Sequence, residues 1–158
     1  MKERAFTIRL IEKTYDELNK DEAELISAAH NATFGSYAPY SKFHVGAAIR
    51  LDDGTIVTGA NQENAAFPSG MCAERTASYY AGAKYPDLKF ESIAIAARDG
   101  ESEELTENHI SPCAACRQAL LEYERLAGKG IKVFMVSKDS VLEAESVSSL
   151  VPLSFTSF

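Results

Sequence analysis

ESIAIAARDGESEELTENHISPCAACRQALLEYERLAGKGIKVFMVS, residues 91–137, decides the architecture. ESIAIAAR and IKVFMVS are short apolar runs and read as buried strands. Between them come a polar, acidic stretch, DGESEELTENH, and then SPCAACRQALLEYERL, which is built of helix formers. Ser111 is a candidate N-cap, Pro112 suits a first helical position, and the GKG at 128–130 ends the helix. Strand, helix, strand is the repeating unit of a partly parallel sheet with a right-handed crossover.

The flanking sequence extends this unit. FHVGAAIRL (43–51), the DDG turn and TIVTGA (55–60) read as a hairpin, and MCAERTASYYAGAK (71–84) as a second helix. From Thr14 to about Phe34, the spacing of Leu18, Leu25, Ile26 and Ala29 suits an amphipathic helix. Residues 1–15 are expected to form a short strand or arm around Phe6, Ile8 and Leu10, with no role assigned. No repeat or linker divides the chain, so residues 1–158 are expected to form one domain. Both cysteine-bearing helices follow a strand and a loop. If those strands are parallel, both helices start at the carboxyl edge of the sheet, where such folds place ligands.

Composition narrows the function. The 16 Lys and Arg residues are scattered among 23 Asp and Glu, for a net charge of −7, which disfavours a nucleic-acid polymer as partner. No apolar run approaches the roughly 20 residues that cross a bilayer, so no membrane partner is expected. The charged start, MKERAFTIRLIEKTYDEL, does not read as a secretory signal, and the expected location is the cytoplasm. Three cysteines are an odd number, and in a reducing compartment they point to metal or redox work rather than a disulfide.

Cys113 and Cys116 are three apart and share a helix face, and Cys72 stands alike at the start of the other helix. Helix N-termini favour thiolates. Three thiolates suit one Zn2+ ion and leave a fourth position for water, the catalytic arrangement. Glu74, two residues after Cys72, is placed to move protons beside that water, provided Cys72 lies just outside regular helix. The zinc–trithiolate carries a net negative charge, so a cation should offset it. Arg75 is assigned to bond the ligand sulfurs, and Arg117 also follows the cysteines closely. Other readings stay open. The C-x-x-C could be a redox pair, and His30, His44 or His109 could complete a structural zinc site.

C-A-E at 72–74 and P-C-x-x-C at 112–116 resemble the zinc-dependent cytidine deaminases. APYSKFHVGAA (38–48), GANQENAAF (59–67), CAERTA (72–77) and SPCAACRQAL (111–120) resemble the free-nucleoside, short-chain branch in particular. The resemblance implies a three-layer α-β-α sandwich around a mixed, mostly five-stranded sheet. It implies Cys72, Cys113 and Cys116 as ligands of one zinc per subunit, and Glu74 as the proton shuttle for hydrolysis at pyrimidine C4. The Ala73 N–H would face the pyrimidine O2, and the Ser111 carbonyl the exocyclic amine. Phe43 would stack on the base, while Asn61 and Glu63 would hold ribose hydroxyls.

The implied reaction converts cytidine and 2′-deoxycytidine to uridine and 2′-deoxyuridine in pyrimidine salvage. The implied assembly is a homotetramer whose neighbouring subunits complete each site, with Phe155 resembling an aromatic that reaches across. Phe67 departs from the family's usual Tyr, and His44 and Gln62 depart from commoner choices. Competing readings are a deaminase of a modified cytosine nucleoside such as blasticidin S, a polynucleotide-editing deaminase, and a non-catalytic zinc-stabilised interaction module. Glu74 separates the last from the rest, because a structural zinc has no need of it.

Overall fold

The computed structural model describes residues 1–157; Phe158, the last residue of the expected domain, lies outside the described residues. In chain order the regular elements are β1 (Leu10–Thr14), α1 (Lys20–Ala32), β2 (Phe43–Leu51), β3 (Ile56–Ala60), α2 (Ala73–Lys84), β4 (Phe90–Asp99), α3 (Ala114–Ala127), β5 (Lys132–Val136) and β6 (Ser140–Ala144). They build one sheet in the order β1-β6-β5-β4-β2-β3.

The alternation of each strand sorts its side chains onto two cores. On β2 and β4, Ala47, Ile49, Ile93 and Ile95 face one side, with α2 and α3. Ala48, Ala94 and Ala96 face the other, with Leu25, Ile26 and Ala29 of α1. The three layers are therefore α1, sheet, and α2 with α3. The sheet is mixed: β4 and β5 are parallel, and every other neighbouring pair is antiparallel. Because β2 runs against both β3 and β4, those two strands point the same way. Each is followed by a cysteine-bearing helix, so α2 and α3 both begin at one edge of the sheet.

The three-layer mixed sheet agrees with expectation; the strand number differs slightly, six rather than five. The additional pairing joins β1 to β6, a short hairpin partner of β5. The first helix is also shorter than its apolar spacing suggests. Asn19 caps α1 by accepting from the Glu22 N–H, and Glu22 reaches back to the Asn19 N–H. Tyr15–Glu17 and Thr33–Gly35 on either side are single 3-10 turns. A further correction concerns α3. Its N-cap is Cys113, in extended conformation, and the helix starts at Ala114, so Ser111 and Pro112 precede it as loop. Gly128, at φ 68°, closes α3 in the left-handed conformation that glycine adopts without strain.

Small residues set how closely α2 lies on the sheet. A Cβ on Gly59 of β3 would stand 2.5 Å from the Ala77 nitrogen and 2.8 Å from the Ala73 oxygen, both helix backbone. Neither neighbour can swing aside, so Gly59→Ala must displace the helix that carries Glu74. We expect a loss of about 1–3 kcal/mol in stability, read from the midpoint of chemical denaturation; an unchanged midpoint would show that α2 slides freely.

Candidate active site

The two helix starts face a cavity of about 710 Å³ at the carboxyl edge of β3 and β4. Cys72 is the N-cap of α2 and Cys113 the N-cap of α3, both in extended backbone conformation. This resolves the spacing problem between Cys72 and Glu74, which are two apart and would face different ways inside a helix. Cys116 lies one turn into α3 and is fully buried. The Sγ atoms are 3.9 Å apart for Cys72 and Cys113 and 3.4 Å for Cys113 and Cys116, and all three fall within 4.8 Å. A tetrahedral zinc with bonds of about 2.3 Å would hold its sulfurs about 3.8 Å apart. The donor set and its spacing fit that ion.

No histidine joins the three sulfurs among the described residues. His30 meets the Glu103 carbonyl at 3.1 Å, and His109 lies 2.9 Å from Ser140 Oγ, on the β6 side of the sheet. His44 does not line the cavity. Three protein ligands leave a coordination position open, the pattern of catalytic rather than structural zinc.

Positive charge reaches the sulfurs from two sources. The first is backbone, the N-termini of α2 and α3. The second is Arg75, whose Nη2 donates to Cys72 Sγ at 3.7 Å. Without metal, the Cys72 thiol is lowered to about 5, first by the neighbouring Cys116 and then by Arg75, against the opposing effect of burial. The Cys116 thiol is pushed up by the neighbouring Cys72 and by burial. A bound cation would displace the remaining thiol protons. Arg117, the other arginine close to the cysteines in sequence, bonds no sulfur among the described residues. It donates to the carbonyls of Pro112 at 2.7 Å and Leu150 at 3.1 Å, pinning the loop that delivers Cys113.

Glu74 lies on the cavity wall and is 4% exposed. Burial raises its carboxyl above the usual range, and the neighbouring Cys72 adds to this. Phe43, Asn61, Glu63, Ala73 and Ser111 also line the cavity. Asn61 is largely committed to its own chain. Its Oδ1 accepts from Ser36 Oγ at 2.5 Å and the Val45 N–H at 2.9 Å, and its Nδ2 donates to the Phe43 carbonyl at 2.9 Å. One N–H is left to offer a ligand. Glu63 Oε2 accepts from the N–H groups of Tyr40 and Ser41 at 2.9 and 3.2 Å, leaving its second oxygen free. Ser41 is the main cause of its lowered carboxyl pKa, so Glu63 is an ionised acceptor at neutral pH.

Val45, Met71 and Ile110 contribute apolar wall that the sequence reading did not assign. Ile110 carried a usable signal, a lone apolar residue between the acidic loop and Ser111. Phe67 and Tyr40 meet edge to face at 5.9 Å on the rim, and Phe67 is 74% exposed. Phe155 is not part of the cavity; its carbonyl accepts from Gln118 on α3.

Residues 19–127 match the family model described as the cytidine and deoxycytidylate deaminase zinc-binding region. The cytidine deaminase of Halalkalibacterium halodurans is 38% identical over 136 residues, covering 86% of this chain and 95% of that protein. That of Sporosarcina psychrophila is 35% identical over 136 residues, covering 86% and 92%. The crystal structure of cytidine deaminase from Burkholderia pseudomallei superposes with a TM-score of 0.70 at 36% identity, over 84% of this chain and 97% of that one.

The Arg75 contact has a measurable consequence. Arg75→Ala removes a donor to Cys72 and should weaken zinc affinity about 10–100-fold, measured by chelator competition. Unchanged affinity would make Arg75 a bystander.

Proposed function

The chain belongs to the zinc-binding cytidine deaminase family, and from that membership we propose that it hydrolyses the free nucleosides cytidine and 2′-deoxycytidine to uridine and 2′-deoxyuridine, releasing ammonia. The observation that carries this reading is Glu74, a buried carboxyl in the wall of the same cavity that Cys72 and Cys113 line, two of the three sulfurs spaced for zinc. A zinc-stabilised interaction module would have no use for it.

Zinc, held by Cys72, Cys113 and Cys116, supplies the Lewis acidity that makes water a nucleophile near neutral pH. The rest falls to the chain. Glu74 takes a proton from the attacking water, delivers it to pyrimidine N3, and then assists the departing amine. Its burial keeps bulk water from competing for that proton. Ala73 is the first residue of α2, and its N–H has no partner within the helix, so it is free to bond the pyrimidine O2. The Ser111 carbonyl receives the exocyclic amine, and Phe43 and Ile110 enclose the base. The free oxygen of Glu63 and the last N–H of Asn61 take ribose hydroxyls.

The charge of the cavity favours nucleosides over nucleotides. Arg75 is the one Lys or Arg among the described lining residues, and it is turned to Cys72. A 5′-phosphate would find Glu63 instead of a counter-ion. The homotetramer implied by the resemblance would cover the exposed Phe67 and Tyr40 on the rim with a neighbouring subunit. Recycling of pyrimidine nucleosides in the cytoplasm is the role that fits these substrates.

The purified zinc protein is mixed with cytidine, and the ultraviolet change from cytosine to uracil is followed. Turnover is expected for cytidine and 2′-deoxycytidine and not for their 5′-monophosphates. Glu74→Ala should retain zinc and lose about 10²–10⁴-fold in kcat. Glu63→Ala should keep zinc and lose about 10–100-fold in kcat/KM. A zinc-loaded wild-type protein that leaves cytidine untouched would end this reading, and parallel loss of zinc in Glu63→Ala would make Glu63 structural.

A further inference from the structure

β1 is the outermost strand: β6 covers one of its edges, and among the described residues no strand covers the other. Its pairing begins at Leu10, opposite Ala144, where β6 ends. Upstream, residues 1–9 are exposed, and among the described residues they make no backbone hydrogen bond to the rest of the chain. Phe6, Ile8, Leu10 and Ile11 are each 42–59% exposed. An open row of amides and carbonyls beside apolar side chains is a template for another strand.

The sequence of this stretch identifies that strand. Residues 3–13, ERAFTIRLIEK, are complementary to themselves read in the opposite direction. Antiparallel pairing about Ile8 sets Glu3 opposite Lys13, Arg4 opposite Glu12, Phe6 opposite Leu10, and Ile8 opposite its own copy. A shift of the register by one position sets Glu3 against Glu12, or Arg4 against Lys13. Centring on Thr7 leaves one opposed charge pair and sets Arg4 against Leu10. Among these registers, only the one centred on Ile8 pairs opposite charges while setting no charge against an apolar side chain. Lys13 is already engaged by Glu22 at 2.9 Å and Glu143 at 2.5 Å, so the selecting pair is Arg4 with Glu12. The Glu12 side chain is 62% exposed, and Oε1 already accepts from Ser140 Oγ, which leaves its second oxygen for Arg4.

The two faces agree with this register. Leu10 stands opposite Ala144, which belongs to the core under α2 and α3. Lys13 stands opposite Val141, on the α1 side. Even-numbered residues of β1 thus share the α2–α3 face, and pairing that extends the strand upstream would put Phe6 and Ile8 of both copies on that face beside Leu10, as one apolar stripe.

We propose that residues 3–13 pair antiparallel with the same residues of a second copy of this chain, about a twofold axis at Ile8, joining two six-stranded sheets into one. The interface is isologous and closes on itself. It lies at the opposite end of the sheet from β3 and outside the residues matched by the family model, which begin at 19. It does not depend on the reaction proposed above.

Site-specific cross-linking tests the register on the full-length, zinc-loaded chain. Ile8→Cys places two thiols across the axis, with Cα atoms about 4.5–5.5 Å apart, within disulfide reach. Phe6→Cys places its two thiols four residues out of step, about 13 Å apart. Mild oxidation should convert Ile8→Cys fully to a species of twice the monomer mass on a non-reducing gel. Phe6→Cys and the wild type, which controls for the native cysteines, should remain monomeric on that gel. Absence of the Ile8→Cys dimer, or equal dimer from Phe6→Cys, would overturn the proposal. Cytidine turnover by reduced Ile8→Cys, measured alongside, should match the wild type and reports on the deaminase reading separately.

Discussion

Three sulfur atoms must meet within the edge length of one small tetrahedron, and they come from two helices joined by a strand and two loops. That requirement constrains much of the fold. Two helix starts coincide only if the strands before them run the same way, and β3 and β4 do so because antiparallel β2 lies between them. The helices must also lie close to the sheet. Glycine at position 59 and alanines at 73, 77 and 81 leave α2 with almost no side chain on the face it turns to β3. Arg117 then fixes the last degree of freedom by tying the Pro112 carbonyl, and with it the loop before Cys113, to the carbonyl of Leu150.

Around that centre, polar groups divide into those spent on the protein and those left for a ligand. Asn61 is mostly of the first kind. It bridges Ser36, Phe43 and Val45, so it shapes the cavity wall more than it offers to a sugar. Glu63 is of both kinds, with one oxygen holding the Tyr40–Ser41 turn and one open. Glu74 accepts the cost of burial with no cation bonded to it, the situation that raises a carboxyl. A carboxyl so placed beside a metal position is the candidate for the proton transfer proposed above.

Much of this was legible in the sequence, for definable reasons. The strands β2 to β5 are long or strongly apolar, α1 carries an apolar spacing, and α2 and α3 are rich in helix formers. The cysteines announced themselves by spacing and number. What escaped reading depended on contacts distant in sequence. β6 is five residues with a glutamate next to its end, Glu143, which becomes tolerable only because Lys13 and Lys132 reach it across the sheet. Its partner β1 falls within the strand or arm expected over residues 1–15, but it starts at Leu10, past Phe6 and Ile8, and is mostly exposed, so its position is set by β6 rather than by its own pattern. α3 starts two residues later than Ser111 and Pro112, the usual opening of a helix, suggest, because Cys113 takes the cap position. Local propensity cannot foresee that a cap residue is wanted for its sulfur. Likewise, Arg75 and Arg117 look equivalent from their spacing, yet one reaches a thiol and the other two carbonyls.

The helix starts at Ala73 and Ala114 have a consequence for how such a site can change over generations. Part of the positive potential at the sulfurs comes from peptide dipoles, which no codon encodes. A substitution can delete Arg75, but none short of breaking a helix can delete the backbone share. Ligand residues, rim aromatics and sugar-binding groups can therefore drift one at a time while a background field persists. A lineage that keeps the two strand-to-helix turns keeps a place where an anionic metal centre is tolerated, and new pocket chemistry can be tried without first rebuilding it.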